Sequence, residues 1–343
     1  MKALLYKEHG SADVLEYADV EAPKPGGRDI LIKVVATTVN HLDVVQRKGM
    51  YTLPGHSFPH VAGMDVVGIV EEVGSDVTSV STGIRVVVDP SMSQVPGGSR
   101  LAGRGDLYGD LGIIGATESG GYAEYCLAPE THVYEIPEAM NWREAVVFPT
   151  AWMTAHHALF DVAGLKASDT VMIHAAGSGV SMAAIQWAKK AGATVLATAG
   201  SSDKCERARG LGADHVCNNR VTDVTGWARG ITGGAGVQIV FDHVGEALWD
   251  ASMFSLAPRG RLVTCGNTSG NFPKLNLGYF FHMGLRVLGS GPYRYEEFAL
   301  AWRQYCEGSF EAVVDSTFPL REGSAAQDKL ERADFFGKII LEP

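Results

Sequence analysis

Short apolar runs alternate with helical stretches from Thr170 to about Leu288, and no other feature constrains this chain as strongly. Thr170–His174 (TVMIH), Thr194–Thr198, Val237–Phe241, Arg261–Cys265 and Val287–Leu288 read as strands. Val180–Lys190 and Ser202–Leu211 read as helices between them. A strand that passes through a helix into the next strand runs parallel to it, and helices then cover both sheet faces. The pattern therefore predicts an α/β domain with a doubly wound parallel sheet. The stretch before it is of another kind. Ile30–Thr37, Val66–Val73 and Ile84–Val88 are β-branched runs, punctuated at Pro23–Gly27, Pro54–Gly55 and Gly74. One short helical pattern lies at His41–Lys48. Asn141 with Glu144 has capping-box spacing and marks where the pattern changes. The tail after Ser290 holds helices and a last strand, Lys338–Leu341. Residues 89–120 are rich in Gly and Ser with weak periodicity, which predicts a lobe or a long functional loop.

Composition narrows the function classes. The 343 residues suit about two domains. With 46% hydrophobic and 20% charged residues the chain is globular rather than disordered. The charge is 29 − 39 = −10, and no Lys/Arg-rich run exists to release counterions from a phosphate backbone, so no nucleic-acid partner is expected. The start MKALLYKEHG lacks the apolar core of a secretory signal. No apolar run approaches the roughly 20 residues that span a bilayer, so no membrane partner is expected either. The five cysteines, Cys126, Cys205, Cys217, Cys265 and Cys306, are scattered without a C-x-x-C. They read as free thiols in a reducing, cytoplasmic setting and argue against a cysteine-based zinc site.

The turn His174-Ala-Ala-Gly-Ser-Gly-Val-Ser181 follows a strand and opens a helix. Backbone N–H groups at such a turn can meet a pyrophosphate at the helix N-terminus. Its glycines are Gly177 and Gly179, with Ser178, Val180 and Ser181 beside them at the helix onset. The next strand ends Leu196-Ala-Thr-Ala-Gly200-Ser-Ser-Asp-Lys204. No acid stands at the strand end to take a ribose 2′-hydroxyl. Gly200, Ser201, Ser202 and Lys204 suit a 2′-phosphate instead, so NADPH is expected over NADH, with Asp203 weighing against. The plainer reading is a helix cap at Ser202 and a solvated Lys204.

These strings, taken together, carry a family resemblance from end to end. They are Val39-Asn-His-Leu-Asp43, Phe58-Pro-His-Val-Ala-Gly-Met-Asp65, Gly120-Gly-Tyr-Ala-Glu-Tyr125, Ala175 to Lys189, Leu211-Gly-Ala-Asp-His215, Phe241-Asp-His-Val-Gly245, Gly266-Asn-Thr-Ser-Gly270 and Phe336-Gly-Lys-Ile-Ile340. The chain resembles the medium-chain dehydrogenase/reductase superfamily. It looks most like the zinc-independent quinone oxidoreductase branch and related alcohol-dehydrogenase-like proteins. The resemblance implies a GroES-like β-rich catalytic domain from residues 1–141 and 290–343, with a Rossmann NADP-binding domain at 142–289. It also implies an active site between the domains, and a homodimer joined through the nucleotide domain, or a homotetramer.

Zinc-dependent relatives hold their catalytic ion with a Cys, a His beside a Glu, and a second Cys. Matched by motif, those positions carry Asn40, Met64-Asp65 and Pro149-Thr150, which are poor zinc ligands. The four structural cysteines of such relatives fall on Gln94, Gly97, Arg100 and Tyr108. No metal is therefore expected, the histidines His41, His56, His60, His156 and His157 notwithstanding.

Without a Lewis acid, the charge that develops on a reduced substrate needs hydrogen-bond donors. By resemblance the Tyr51 phenol would donate to a substrate carbonyl; its plainer reading is an exposed loop tyrosine. Asn40 would hold the nicotinamide ribose or the substrate oxygen. Asp43 reads as an orienter, or simply as a partner of Arg47. His41 would relay a proton, or cap a helix. Thr150 and Thr154 would line the nicotinamide end, and Trp152, Phe280 and Phe281 the substrate pocket or the core. His243 and Val244 would stand near the adenosine ribose, Gly266, Asn267 and Thr268 further along, and Ser290 and Lys338 beside the cofactor. Asp65 reads as structural. The expected activity is NADPH-dependent reduction of an activated double bond or a quinone, with a small molecule as substrate. Its rivals are a zinc-free carbonyl or alcohol oxidoreductase and a non-catalytic NADP-binding sensor or assembly protein.

Overall fold

The computed structural model describes residues 1–91 and 112–343, so Gln94, Gly97, Arg100 and Tyr108 lie outside the described residues. The chain divides into two compact units, Met1–Thr150 with Arg294–Pro343, and Ala151–Tyr293. Strands β1 (Lys2–Tyr6), β2 (Glu16–Asp19), β3 (Asp29–Thr38), β4 (His60–Val61), β5 (Asp65–Val73), β6 (Arg85–Val88), β7 (Tyr125–Pro129) and β8 (Val133–Glu135) lie in the first unit. Strands β9 (Thr170–Ile173), β10 (Thr194–Ala199), β11 (His215–Asn218), β12 (Val237–Asp242), β13 (Leu256–Thr264) and β14 (Arg286–Gly289) build the second. Strands β15 (Val314–Pro319) and β16 (Lys338–Glu342) return to the first. The helices are α1 (His41–Arg47), α2 (Trp142–Val146), α3 (Met153–His156), α4 (Gly179–Lys190), α5 (Ser202–Gly210), α6 (Val224–Ile231), α7 (Trp249–Ser255), α8 (Leu277–Met283), α9 (Tyr295–Glu307) and α10 (Gly323–Glu331). Among the described residues no helix is long and apolar enough to cross a membrane.

In the first unit β2-β1-β4 form a three-stranded sheet. A seven-stranded sheet runs β15-β16-β3-β5-β6-β8, with β7 also paired to β3. The site of interest is set by registers. Antiparallel β3 and β5 pair Thr38 with Asp65, and β16 pairs Ile340 with Thr38. Three strand ends therefore meet beside Asn40, the residue that caps α1. Arg47 is fully buried at the end of α1. Its guanidinium donates to Gln327 Oε1 and Gly10 O, each at 2.7 Å, and pairs with Glu331. These contacts hold α1 against α10, and the expected Asp43–Arg47 pair does not form.

The expected domain boundary at 141/142 shifts to 150/151. Asn141 does cap α2, accepting from Glu144 N at 3.0 Å while Glu144 Oε2 accepts from Asn141 N at 2.7 Å. Yet α2 packs on β3 and β5, so it belongs with the first unit and takes Thr150 with it.

In the second unit all six strands are parallel, in the order β11-β10-β9-β12-β13-β14. The chain leaves β9 toward β10 on one side and returns to β12 on the other. Loops at the carboxyl ends of β9 and β12 therefore diverge, which opens a crevice there. Met172, Leu196, Val240 and Leu262 fill one face of this sheet.

Candidate active site

Two groups of polar residues stand out, one in each unit. In the first, the carboxylate of Asp65 is wholly buried. Its Oδ2 accepts from the Thr38 hydroxyl, from Asn40 Nδ2 at 2.9 Å and from Lys338 Nζ at 3.0 Å, and its Oδ1 accepts from Thr150 N at 2.8 Å. Lys338 Nζ also donates to Asn40 Oδ1 at 2.7 Å and reaches Val39 O at 3.5 Å. An ammonium has three hydrogens, and these three acceptors use them. The Asn40 amide is thereby fixed, its oxygen on the ammonium and one N–H on the carboxylate. Its second N–H meets no acceptor among the described residues. Lys338 was expected beside the cofactor; in the structure its three hydrogens face Val39, Asn40 and Asp65. Asp65 is more than structural filler for the same reason, and Thr150 serves it through a backbone N–H.

Asp43 lies one turn away and is 3% exposed. Its Oδ2 accepts from Asn40 N at 2.8 Å and from the Tyr122 hydroxyl at 3.0 Å, while its Oδ1 has no partner among the described residues. Burial, relieved in part by these two hydrogen bonds, pushes its carboxyl up to about 7. Burial and the neighbouring Asp43 push the Tyr122 phenol well above its usual range. Asp43 thus holds the backbone N–H of Asn40, the residue that caps α1. His41 opens α1 with an exposed edge; protein packed about its ring and the Lys338 ammonium lower its pKa. Tyr51 is exposed on the loop after α1. Met64, at one of the two positions where zinc-dependent relatives carry a His beside a Glu, packs in an apolar cluster with Leu53 and Ala116.

In the second unit the expected contact residues gather at the carboxyl ends of the strands. Ser178 caps α4, its Oγ accepting from Ser181 N at 3.2 Å. The residue of this turn in the left-handed region is Ala175, at φ +51°, rather than Gly177 or Gly179. A side chain there is held in a disfavoured conformation, which functional turns tolerate. Beneath the turn lies a polar spine. The buried His174 ring meets Thr198 Oγ1 at 2.9 Å and Ser252 Oγ at 3.0 Å, and Ser252 donates to Asp242 Oδ2 at 3.3 Å.

His243 was expected near the adenosine ribose. Its ring faces the turn before α4, with Nε2 3.0 Å from Ser178 Oγ and 2.8 Å from Ser181 Oγ. Asp242 Oδ1 accepts from Val244 N at 2.7 Å and fixes the following turn. The Gly266–Thr268 loop packs on it: Thr268 N donates to His243 O at 3.3 Å, and a Cβ on Gly266 would stand 3.0 Å from His243 Cβ. Asn267 and Thr268 are exposed. Ser290 N reaches back to Thr264 O at 2.8 Å. Thr154 lies on α3, half-buried. Trp152 is core, 5.7 Å from the Trp187 ring, while Phe281 is exposed.

At the end of β10, Ser201 rather than Ser202 caps α5, accepting from Lys204 N at 3.3 Å. Sequence reasoning missed Arg220. Its guanidinium lies over Gly200, with Nε 3.2 Å from where a Cβ would stand, so this glycine makes room for a cation. A basic residue soon after the third strand was the available signal.

Two family models match this chain, the alcohol dehydrogenase GroES-like domain over residues 26–138 and the zinc-binding dehydrogenase over residues 179–306. Quinone oxidoreductase 1 of Escherichia coli is 30% identical, with 98% of each chain covered. A solved NAD-dependent alcohol dehydrogenase is 36% identical over all of both chains, with a TM-score of 0.93. A mycobacterial protein solved in complex with NADPH is 29% identical over all of both chains, with a TM-score of 0.84.

Proposed function

The chain belongs to the medium-chain dehydrogenase/reductase superfamily, in its quinone oxidoreductase-like branch, and from that premise we propose a zinc-independent, NADPH-dependent reductase of quinones or conjugated enones. One observation carries the zinc-free part. Where zinc-dependent relatives hold an ion, the oxygens of Asn40 and Asp65 already face a cation, the Lys338 ammonium. The Met64 thioether is spent in an apolar cluster. This donor set does not suit Zn²⁺, which favours thiolate, imidazole and carboxylate in a tetrahedral array.

NADPH, when bound, supplies the hydride. The α4 N-terminus with Ser178 and Ser181 suits its pyrophosphate, and Ser201, Lys204 and Arg220 suit a 2′-phosphate. The remaining Asn40 N–H and the Tyr51 phenol are the donors offered to an acceptor's oxygen as charge develops on it, the role a metal plays elsewhere. Similarity to an alcohol dehydrogenase supports a second reading, zinc-free carbonyl reduction by the same donors.

A chelator-treated sample with NADPH and a quinone tests the proposal. Turnover should persist; activity that vanishes and returns with zinc overturns the zinc-free reading. Lys204→Ala should weaken NADPH far more than NADH, and an equal loss would remove the 2′-phosphate assignment.

We also propose a homodimer through the second unit. The edge strand β14 is largely exposed, and Leu277 and Phe281 on α8, the helix before it, stand out in solvent at 67% and 74% exposure. A second copy extending the sheet across β14 would satisfy its backbone and cover this apolar surface. Sedimentation of Phe281→Asp should show weakened association, whereas a monomeric wild type contradicts the dimer. Five free thiols fit a cytoplasmic setting for it.

A further inference from the structure

The hydrogen bonds around His243 determine where the protons sit in the turn before α4. Ser181 Oγ lies 2.6 Å from His174 O. A carbonyl only accepts, so the single hydroxyl hydrogen of Ser181 is committed there. Ser181 Oγ is also 2.8 Å from His243 Nε2. With its hydrogen already used, Ser181 can only accept, and Nε2 must carry the proton. An unprotonated Nε2 would set lone pair against lone pair at that distance. The same N–H points to Ser178 Oγ at 3.0 Å, and that oxygen already accepts from Ser181 N at 3.2 Å. Both contacts to Ser178 Oγ are therefore donated to it. Its own hydrogen is left over, and no acceptor among the described residues takes it.

On the reading that this turn meets a dinucleotide, we infer that His243 is a positioning residue that makes the Ser178 hydroxyl a hydrogen-bond donor aimed at the pyrophosphate. The imidazole does this by filling the acceptor side of Ser178. The hydroxyl then cannot turn inward and presents O–H to the anion at the first turn of a 12-residue helix. The ring is held for the task. It is buried, its carbonyl accepts from Thr268, and Asp242 pins the turn that follows. His174, directly before the turn, supplies the acceptor that starts the chain of constraints, with its own ring fixed by Thr198 and Ser252. Two histidines just past the ends of neighbouring strands thus set the polarity of one serine, where glycine-only turns rely on backbone N–H groups alone.

A double-mutant cycle on NADPH binding, read by nicotinamide fluorescence, tests this. Ser178→Ala removes a hydrogen bond to a charged group, for an expected loss of about tenfold or more in affinity. His243→Leu should lose a similar factor, and the double variant should be no weaker than the weaker single. His243→Gln carries an N–H at a similar reach and should return to within about threefold of wild type. Binding of adenosine 2′-phosphate, which has no pyrophosphate, should stay unchanged in each folded variant. Additive losses, a His243→Gln as weak as His243→Leu, or an equal loss of adenosine 2′-phosphate would each overturn the inference. If His243→Leu does not fold, the Gln and Ala variants still carry the comparison. A wild type that binds neither NADPH nor NADH overturns the dinucleotide reading itself, and this inference with it.

Discussion

The polar group around Asp65 and the one around His174 and His243 solve the same problem by opposite means. Each buries polar atoms at the ends of strands and leaves a hydrogen-bond donor unspent. In the second unit the buried partners are mainly hydroxyls and imidazoles, drawn from the carboxyl ends of neighbouring strands and from α4 and α7, with the Asp242 carboxylate joined through Ser252. In the first, an ammonium and a carboxylate, 273 residues apart in sequence, are locked together to hold one amide. The group in the second unit can lose a hydroxyl at the cost of a hydrogen bond. The ion pair cannot, because a buried charge left alone costs far more than a buried hydroxyl.

The largest effect should come from breaking that pair. Lys338→Met leaves Asp65 buried without its counter-charge and should destabilise the protein by about 3–5 kcal/mol in urea unfolding. A loss near that of one ordinary hydrogen bond, about 1 kcal/mol, would erase the contrast between the two groups. Asp43 should give the next effect, through pH. Its carboxyl sits at about 7 in the folded protein against about 3.9 in an unfolded chain. Below about pH 4 both states carry the proton, and between these values only the folded state keeps it. Stability should therefore fall as pH rises from about 4 to 7, by on the order of a few kcal/mol, and level off above. Asp43→Asn should flatten that slope in denaturation series at pH 5 and pH 8; an unchanged slope would assign it to other groups. The smallest effect belongs to the second unit. Ala175→Gly relieves a left-handed alanine, so its stability should shift by only about 1 kcal/mol or less in thermal unfolding. A large loss would mean that the Ala175 methyl group does packing work in the turn.

The same contrast explains what could be read from the sequence. The turn after β9 is contiguous, so strand, glycines and helix onset announce it in a dozen residues. The capping box at Asn141 and Glu144 is equally local. The Asp65 group draws on segments around residues 38–43, 65, 122, 150 and 338, and each is uninformative alone. Motif matching named Asn40, Asp65 and Lys338, but strand register alone makes them neighbours. Hence the sequence did not show that Lys338 meets Asn40 and Asp65, or that Thr150 lies with the first unit. His243 was found from its strand-end position, which says nothing of ring direction, so its contacts to Ser178 and Ser181 were not legible. Strands β2 and β15 escaped notice since Glu16–Asp19 is mostly exposed and Val314–Pro319 is half-buried throughout; pairing, not apolar alternation, defines them. Arg220 has no periodic signature and is betrayed only by its approach to Gly200.

If an oriented amide and a phenol stand in for a metal, the chemistry should follow the enone and not the carbonyl alone. The direct measurement takes metal-free protein, NADPH and one conjugated enone, and identifies the product by mass and NMR. The account predicts the saturated ketone, with hydride on the β-carbon. An allylic alcohol, or no product until zinc is added, would contradict it.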